Sequence, residues 1–197
     1  MEEDKKENEN KIEIFPFIKG DTIDLVANNS KWVDLRTKWN NDPEVRRYAR
    51  NAWPRTIEEL KKWSEPAPRG QIKEFIDLII YHKQDKRPIG TIGFGYIDWV
   101  NRNANIAAKI GEPEYWGKGI IGEASKLVIE YGFNELNFHK IYAGIYKPNE
   151  RSLRAAEKLG FQKEGVLKEE QYVDGQYHDL HKFALFKKDW IKLNENE

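Results

Sequence analysis

The stretch EYWGKGIIGEAS, Glu114–Ser125, carries Gly117, Gly119 and Gly122 in the spacing G-x-G-x-x-G. Glycines so spaced let a backbone close on a phosphate at the start of a helix, and related letters serve dinucleotides, triphosphates and other phosphorylated ligands. A dinucleotide site opens its domain with this turn and places an acid about 20 residues on, at the end of the next strand, to hold a ribose. Here the motif comes late, and the next apolar run, KIYAGIYK, ends in Lys147 with no acid. A triphosphate loop needs Lys and then Ser or Thr after its last glycine, whereas Glu123 follows Gly122. What survives is the underlying physics: unpaired amides and the positive dipole end of a helix facing a phosphate, with Lys118 adding charge. An ordinary strand-to-helix turn stands as the plainer alternative, although three glycines exceed what a turn requires.

The elements around the loop can be read outward from it. EFIDLIIYH, PIGTIGFGYIDW and ANIAAKI, separated by QDKR and NRN, predict an antiparallel meander. After the loop, a helix over about Ile120–Glu135 turns Ala124, Leu127, Val128 and Tyr131 to a sheet. KIYAGIY follows as a strand parallel to the one before that helix. Asn149–Leu159 has the start and stop of a further helix, and FQKEGVLKEEQY, VDGQ and YHDLHKFALF predict a closing hairpin. Upstream, Ile23, Leu25 and Ala27 alternate as in a strand, and helices follow Ser30, Asp42 and Thr56. Trp32, Trp39 and Trp63 sit at helical spacing and read most simply as core.

With 197 residues, one domain is expected, here over 12–193, with residues 1–11 as a flexible charged leader. The 33 basic and 33 acidic residues cancel, so nothing points to nucleic acid or to an anionic membrane. No cysteine is present, which excludes disulfides, thiolate zinc sites and a cysteine nucleophile. No apolar run is long enough to span a membrane, and the expectation is a cytoplasmic protein. His178 and His181 are three apart on a predicted strand and point to opposite faces, so no metal is expected. Monomer and homodimer are both left open.

A meander, a phosphate loop with its helix, a parallel strand, then N-E-R-S and L-G-F together resemble the GNAT superfamily of acetyl-CoA-dependent N-acetyltransferases. W-x-N-D-P-E-V (Trp39–Val45), P-E-Y-W-G-K-G, Y-G-F-x-x-L-N, N-x-R-S and E-K-L-G-F are similar to its RimJ/RimL-type group, which includes ribosomal-protein N-terminal and spermidine acetyltransferases. The resemblance implies an α/β fold of the GNAT type: a mixed, mostly antiparallel sheet of about seven strands with a splayed parallel pair at the cofactor site, flanked by helices. It implies that Trp116, Gly117, Lys118, Gly119, Ile120 and Ile121, with Gly122, cradle the pyrophosphate of coenzyme A. The family writes this loop Q/R-x-x-G-x-G/A, and Trp116 and Ile121 depart from it. The backbone of Ile110, Gly111 and Glu112 would pair with the pantetheine amides as an added strand.

Asn149 is a good helix cap and, by resemblance, also a pantetheine ligand. Ser152 would place its hydroxyl near the thioester. In many relatives a tyrosine five residues before the final Phe of L-G-F protonates the leaving thiolate. Phe161 fixes that register, and the position holds Ala156. Ser152, Tyr142, Tyr146 or water would then have to serve. Asp98 and Glu112 are the carboxylates best suited to take the ammonium proton, and Tyr48, Trp53 and Trp99 fall in segments expected to border the acceptor groove. The implied reaction is direct acetyl transfer to a primary amine, leaning to a protein or peptide N-terminus. A polyamine or amino-sugar acceptor, or an acyl-CoA-binding module without catalysis, are the alternatives.

Overall fold

The computed structural model describes residues 13–49, 52–65 and 70–195. The expected leader over 1–11 lies outside them. Two strands open the fold, β1 (Pro16–Lys19) and β2 (Ile23–Ala27), followed by helices α1 (Val33–Asn41), α2 (Pro43–Ala49) and α3 (Ile57–Ser64). The meander is β3 (Ile76–His82), β4 (Arg87–Asp98) and β5 (Asn103–Ile110). Then come α4 (Ile120–Asn134), β6 (Lys140–Tyr146), α5 (Glu150–Lys158), β7 (Gln162–Val173), β8 (Gln176–Phe186) and α6 (Lys187–Asn194).

All eight strands join one sheet in the order β1-β2-β3-β4-β5-β6-β8-β7. Neighbours are antiparallel except β5 and β6, which α4 connects as a parallel pair. The expected count of about seven becomes eight because Pro16–Lys19 pairs with β2. This strand is only four residues long and begins with a proline, a residue confined to edges because it cannot donate to a ladder. It gives almost no periodic signal. The closing helix α6 is also absent from the sequence reading; its Trp190 packs on Phe133 with ring centroids 5.4 Å apart.

Helix α4 lies on the sheet because Ile120, Ala124, Val128, Ile129 and Phe133 recur at helical spacing and are all buried. They pack with Ile92, Phe94, Ile110 and Ile141 in the main core. Helices α1–α3 cover other parts of the molecule. α3 starts at a reciprocal cap, in which the Glu59 amide donates to the Thr56 hydroxyl and the Thr56 amide to the Glu59 carboxylate. α1 is seated through Trp39, which is fully buried. Its ring occupies the space beside Gly111, where a Cβ would fall 2.1 Å from the Trp39 ring. Gly111 therefore serves packing.

Trp63, read as core from its spacing, is instead 47% exposed, with the Arg55 guanidinium 4.7 Å from its ring centroid. The face of α3 that carries it is turned to a cleft.

Gly111→Ala should destabilise the fold by about 3 kcal/mol, because a rigid indole cannot yield as a flexible chain end can. Urea unfolding of the variant against wild type measures this.

Candidate active site

Pairing between β5 and β6 is brief. Only Asn103, Ala104 and Asn105 meet Lys140, Ile141 and Tyr142. Beyond them β5 stays with β4 as far as Ile110, and β6 stays with β8 as far as Tyr146. The strands thus diverge, and a cleft of about 1650 Å³ opens between them. That exceeds the roughly 300–1,000 Å³ of a common small-molecule pocket and suits two ligands at once.

Backbone alternation determines what lines the β5 side. The Gly111 amide donates to the Ile89 carbonyl at 2.9 Å, so odd-numbered residues of β5 direct their backbone to β4. Even-numbered Ala108 and Ile110, past the last pairing with β6 at Asn105 and Tyr142, direct theirs into the cleft as a free strand edge. The indole of Trp116 donates to the Ile110 carbonyl at 3.0 Å and so ties the loop to the strand end. Trp116 also lies under the Arg151 guanidinium, 5.4 Å from its ring, which brings a cation of α5 to the loop.

The loop itself is shaped by glycine. Gly117 and Gly119 have φ of +77° and +79°, the left-handed region that other residues enter only with strain. Gly119 caps α4 without any side-chain bond. The amides of Gly117, Lys118, Gly119, Ile120 and Ile121 donate to no acceptor among the described residues. Gly122 has neither a left-handed φ nor a neighbour, since a Cβ there would meet nothing within 4 Å. A glycine inside a helix costs about 1 kcal/mol against alanine, so nothing within the fold calls for Gly122, and the open space lies in the cleft wall. Lys118 folds back over Tyr115, with its ammonium 5.1 Å from the ring.

Charge is uneven along the cleft. Although the chain is neutral overall, the lining at the loop and α5 carries Lys126, Arg151, Arg154 and Lys158 against Glu150. Glu150 is itself paired with Arg154 at 3.1 Å. Free helix amides with surplus cations make a phosphate site.

Asn149 and Ser152 both line the cleft. Asn149 caps α5, its side chain accepting from the Ser152 amide at 3.3 Å, so the structural half of its expected role is present. The Ser152 hydroxyl makes no hydrogen bond to a described residue. Ala156 lines the same wall and is nearly buried. Across from it Tyr142 also faces the cleft; burial foremost, then Tyr96 and Asp98, push its phenol above the ordinary 10, so it stays protonated near neutral pH.

The two expected proton acceptors are placed elsewhere. Glu112 is buried outside the cleft lining, where its Oε1 accepts from Trp39 Nε1 at 2.7 Å and Lys38 Nζ at 3.2 Å, and Oε2 faces Arg87 at 3.1 Å. Burial works to raise its pKa, but the Trp39 bond and the two cations outweigh it and hold the carboxyl below its ordinary 4.5. Such a carboxylate clamps α1 to the end of β5. Asp98 closes the β4–β5 turn, accepting from the Asn101 amide at 2.8 Å and its side chain at 2.7 Å, which hold its pKa low. Asp98 is spent on its own turn and Glu112 on the clamp to α1.

Of the expected aromatic walls, Trp53 is 75% exposed and is not part of the cleft lining. Trp99 packs on Phe138 and donates to the Lys73 carbonyl at 2.7 Å. Tyr48 stands in α2, and its side chain lies outside what is described. Trp63, Phe75 and Tyr96 line the cleft instead. Tyr96 sits in a bulge of β4 with φ of +49°, a strained conformation that re-aims its ring. A bulge with an aromatic at its tip leaves no pattern that a strand template could find. Also unforeseen is a polar group on the cleft floor. Arg36 Nη2 bonds Asp77 at 2.7 Å, and Lys109 Nζ donates to Asn40 Oδ1 at 2.7 Å. Among the described residues no three His, Asp or Glu side chains gather as a metal site, and no helix is long and apolar enough to cross a membrane.

The splayed pair, the glycine loop and the order of elements agree with a family model described as an acetyltransferase (GNAT) domain, which matches residues 27–162. The chain belongs to the GNAT acetyltransferase family. It is 32% identical to an uncharacterized N-acetyltransferase, p20, of Bacillus licheniformis over 80% of this chain and 89% of that protein. It is 36% identical to the spermidine N(1)-acetyltransferase of Escherichia coli K12 over 61% of this chain and 69% of the relative. A putative ribosomal N-acetyltransferase, YdaF, of Bacillus subtilis is 38% identical over 51% and 55%. A crystal structure of spermidine N-acetyltransferase from Vibrio cholerae in complex with CoA and spermine matches with a TM-score of 0.77 over 86% of this chain and 98% of that one. At 24% identity it shows the likeness of fold.

If Glu112 is a clamp, Glu112→Gln should cost about 2 kcal/mol at pH 7, the value of hydrogen bonds to a charged group. A carboxylate whose pKa is depressed on folding stabilises above its unfolded pKa, and that stability is lost as pH falls through the folded value. Denaturation midpoints of the two proteins should therefore draw together as pH falls below the ordinary 4.5 of a glutamate.

Proposed function

We propose that this GNAT domain, spanning 12–193, transfers acetyl from acetyl-CoA directly to a primary amine, and that the amine is the α-amino group of a peptide or protein N-terminus. The observation that carries the cofactor is the row of free amides from Gly117 to Ile121 beside the empty place at Gly122, backed by cations of α4 and α5. Those amides would hold the pyrophosphate, and the even-numbered edge of β5 would pair the pantetheine arm. Coenzyme A supplies the acetyl thioester. The chain's own part is to orient it along β5 and to present a proton donor where the cleft closes. Ser152 and Tyr142 are the donors in place, since Ala156 supplies none.

The choice of acceptor follows from the missing base. Asp98 and Glu112 are engaged elsewhere, and Asp77 is bound to Arg36. An α-amine of pKa about 7.7 is roughly one-sixth neutral at pH 7, while an alkyl amine near 10.4 is neutral about once in 2,500 molecules. A site with weak proton acceptors is better matched to the first. This supports reading the chain as an N-terminal acetyltransferase of the RimJ/RimL type. Polyamine acetylation is the second reading, favoured by identity to spermidine acetyltransferases.

Gly122→Glu tests the cofactor site without harming the fold. Glutamate is a better helix former than glycine by about 0.5–1 kcal/mol, and an acid in the first turn favours the dipole. The melting temperature should hold or rise, while coenzyme A affinity by calorimetry falls by at least about tenfold through charge repulsion at the loop. Unchanged affinity would remove the phosphate-loop assignment.

A further inference from the structure

Resting on that reading, we propose that the acceptor is an N-terminus followed within a few residues by an acidic side chain, which docks on Lys109 and Arg36. The floor of the cleft on the β3–β5 side is built from three strands. Asp77 of β3, Gly93 of β4 and Ala107 of β5 stand in one row across the sheet, and Thr91 and Lys109 stand in the next. Gly93 and Ala107 leave the first row low, so that it forms a trough leading to the free edge of β5. At its head Arg36 is buried, and Lys109 is half-buried.

The electrostatics of this trough are lopsided. Its cations are Arg36 and Lys109, and among the described residues the carboxylate beside them is Asp77. Asp77 is already held by Arg36. Lys109 donates to a neutral amide, Asn40, and Arg36 Nε is buried without a hydrogen-bond partner. Burial, with Arg36 assisting and Asp77 opposing, holds the Lys109 ammonium down to about 8. Buried cations short of negative charge gain most from an arriving carboxylate, through charge-assisted bonds in a low-dielectric site. A polyamine would meet the same cations with like charge.

Distance selects among anionic amines. The cleft closes at Asn105 and Tyr142, where an arm running from the loop along β5 must end. Lys109 is four residues away along the strand, about 13 Å at 3.3 Å per residue. In a free α-amino acid the carboxylate is one carbon from the amine and cannot span this gap. A side-chain acid at the second or third position of a peptide, reached by the long Lys109 and Arg36 side chains, can.

Initial rates with acetyl-CoA on short peptides differing only at the second and third positions, acidic, amide or lysine, test this, with spermidine and free glutamate as further acceptors. The acidic peptide should exceed its amide counterpart in kcat/KM by about tenfold, the worth of one bond to a buried charge. Lys109→Met should bring that ratio toward one, and Lys109→Glu should favour the lysine peptide. Equal rates on all peptides, or spermidine or glutamate preferred by the wild type, would overturn the inference and leave acetyl transfer standing. Absence of coenzyme A binding together with absence of transfer would overturn the proposed function as well.

Discussion

Three pairs of residues hold the two halves of this sheet together. Between Asn103–Asn105 and Lys140–Tyr142 the strands are parallel neighbours, and past them each keeps only its outer partner. A strand edge with unpaired amides and carbonyls is stable only where water or a ligand can reach it, since a buried orphan costs the full desolvation of the group. The open cleft satisfies that requirement. Pairing is short enough to leave an edge free and, with Ile141 of β6 in the same core as α4, long enough to keep the halves in one body.

The glycine loop answers the same demand at the other end of the cleft. A loop and helix start that together hold five uncommitted amides leave donors that must be met from outside. Left-handed Gly117 and Gly119 orient them, and Gly122 keeps side-chain bulk out of their way. Trp116 then fastens the loop to Ile110 and, through Arg151, faces α5. The position that departs from the family's loop pattern has thereby become a strut between three parts of the site.

Local pattern made much of this legible beforehand. The meander, the 15 residues of α4, the parallel β6 and the capped α5 all follow from periodicity and from glycine and proline punctuation. Pattern failed where the reason for a residue lies across space. Trp63 has core spacing, yet the helix that carries it borders a cleft. Gly111 looked like part of a ligand edge, and its neighbour is an indole 72 residues earlier in the chain. Glu112 adjoins the loop in sequence and is bound on the opposite side by Trp39, Lys38 and Arg87. Arg36, Asp77 and Lys109 come from a helix and two strands, and only sheet order brings them together. Alternation tells which face a side chain takes, not what stands above it.

Amide hydrogen exchange with and without coenzyme A tests the central claim that the free strand edge and the glycine loop form one binding surface. Ligand contact should slow exchange at Gly117–Ile121 and, on β5, at Ala108 and Ile110, with their odd-numbered neighbours, already bonded to β4, little changed. Coenzyme A binding that leaves the β5 edge unprotected, or that protects the β7–β8 hairpin instead, would contradict it.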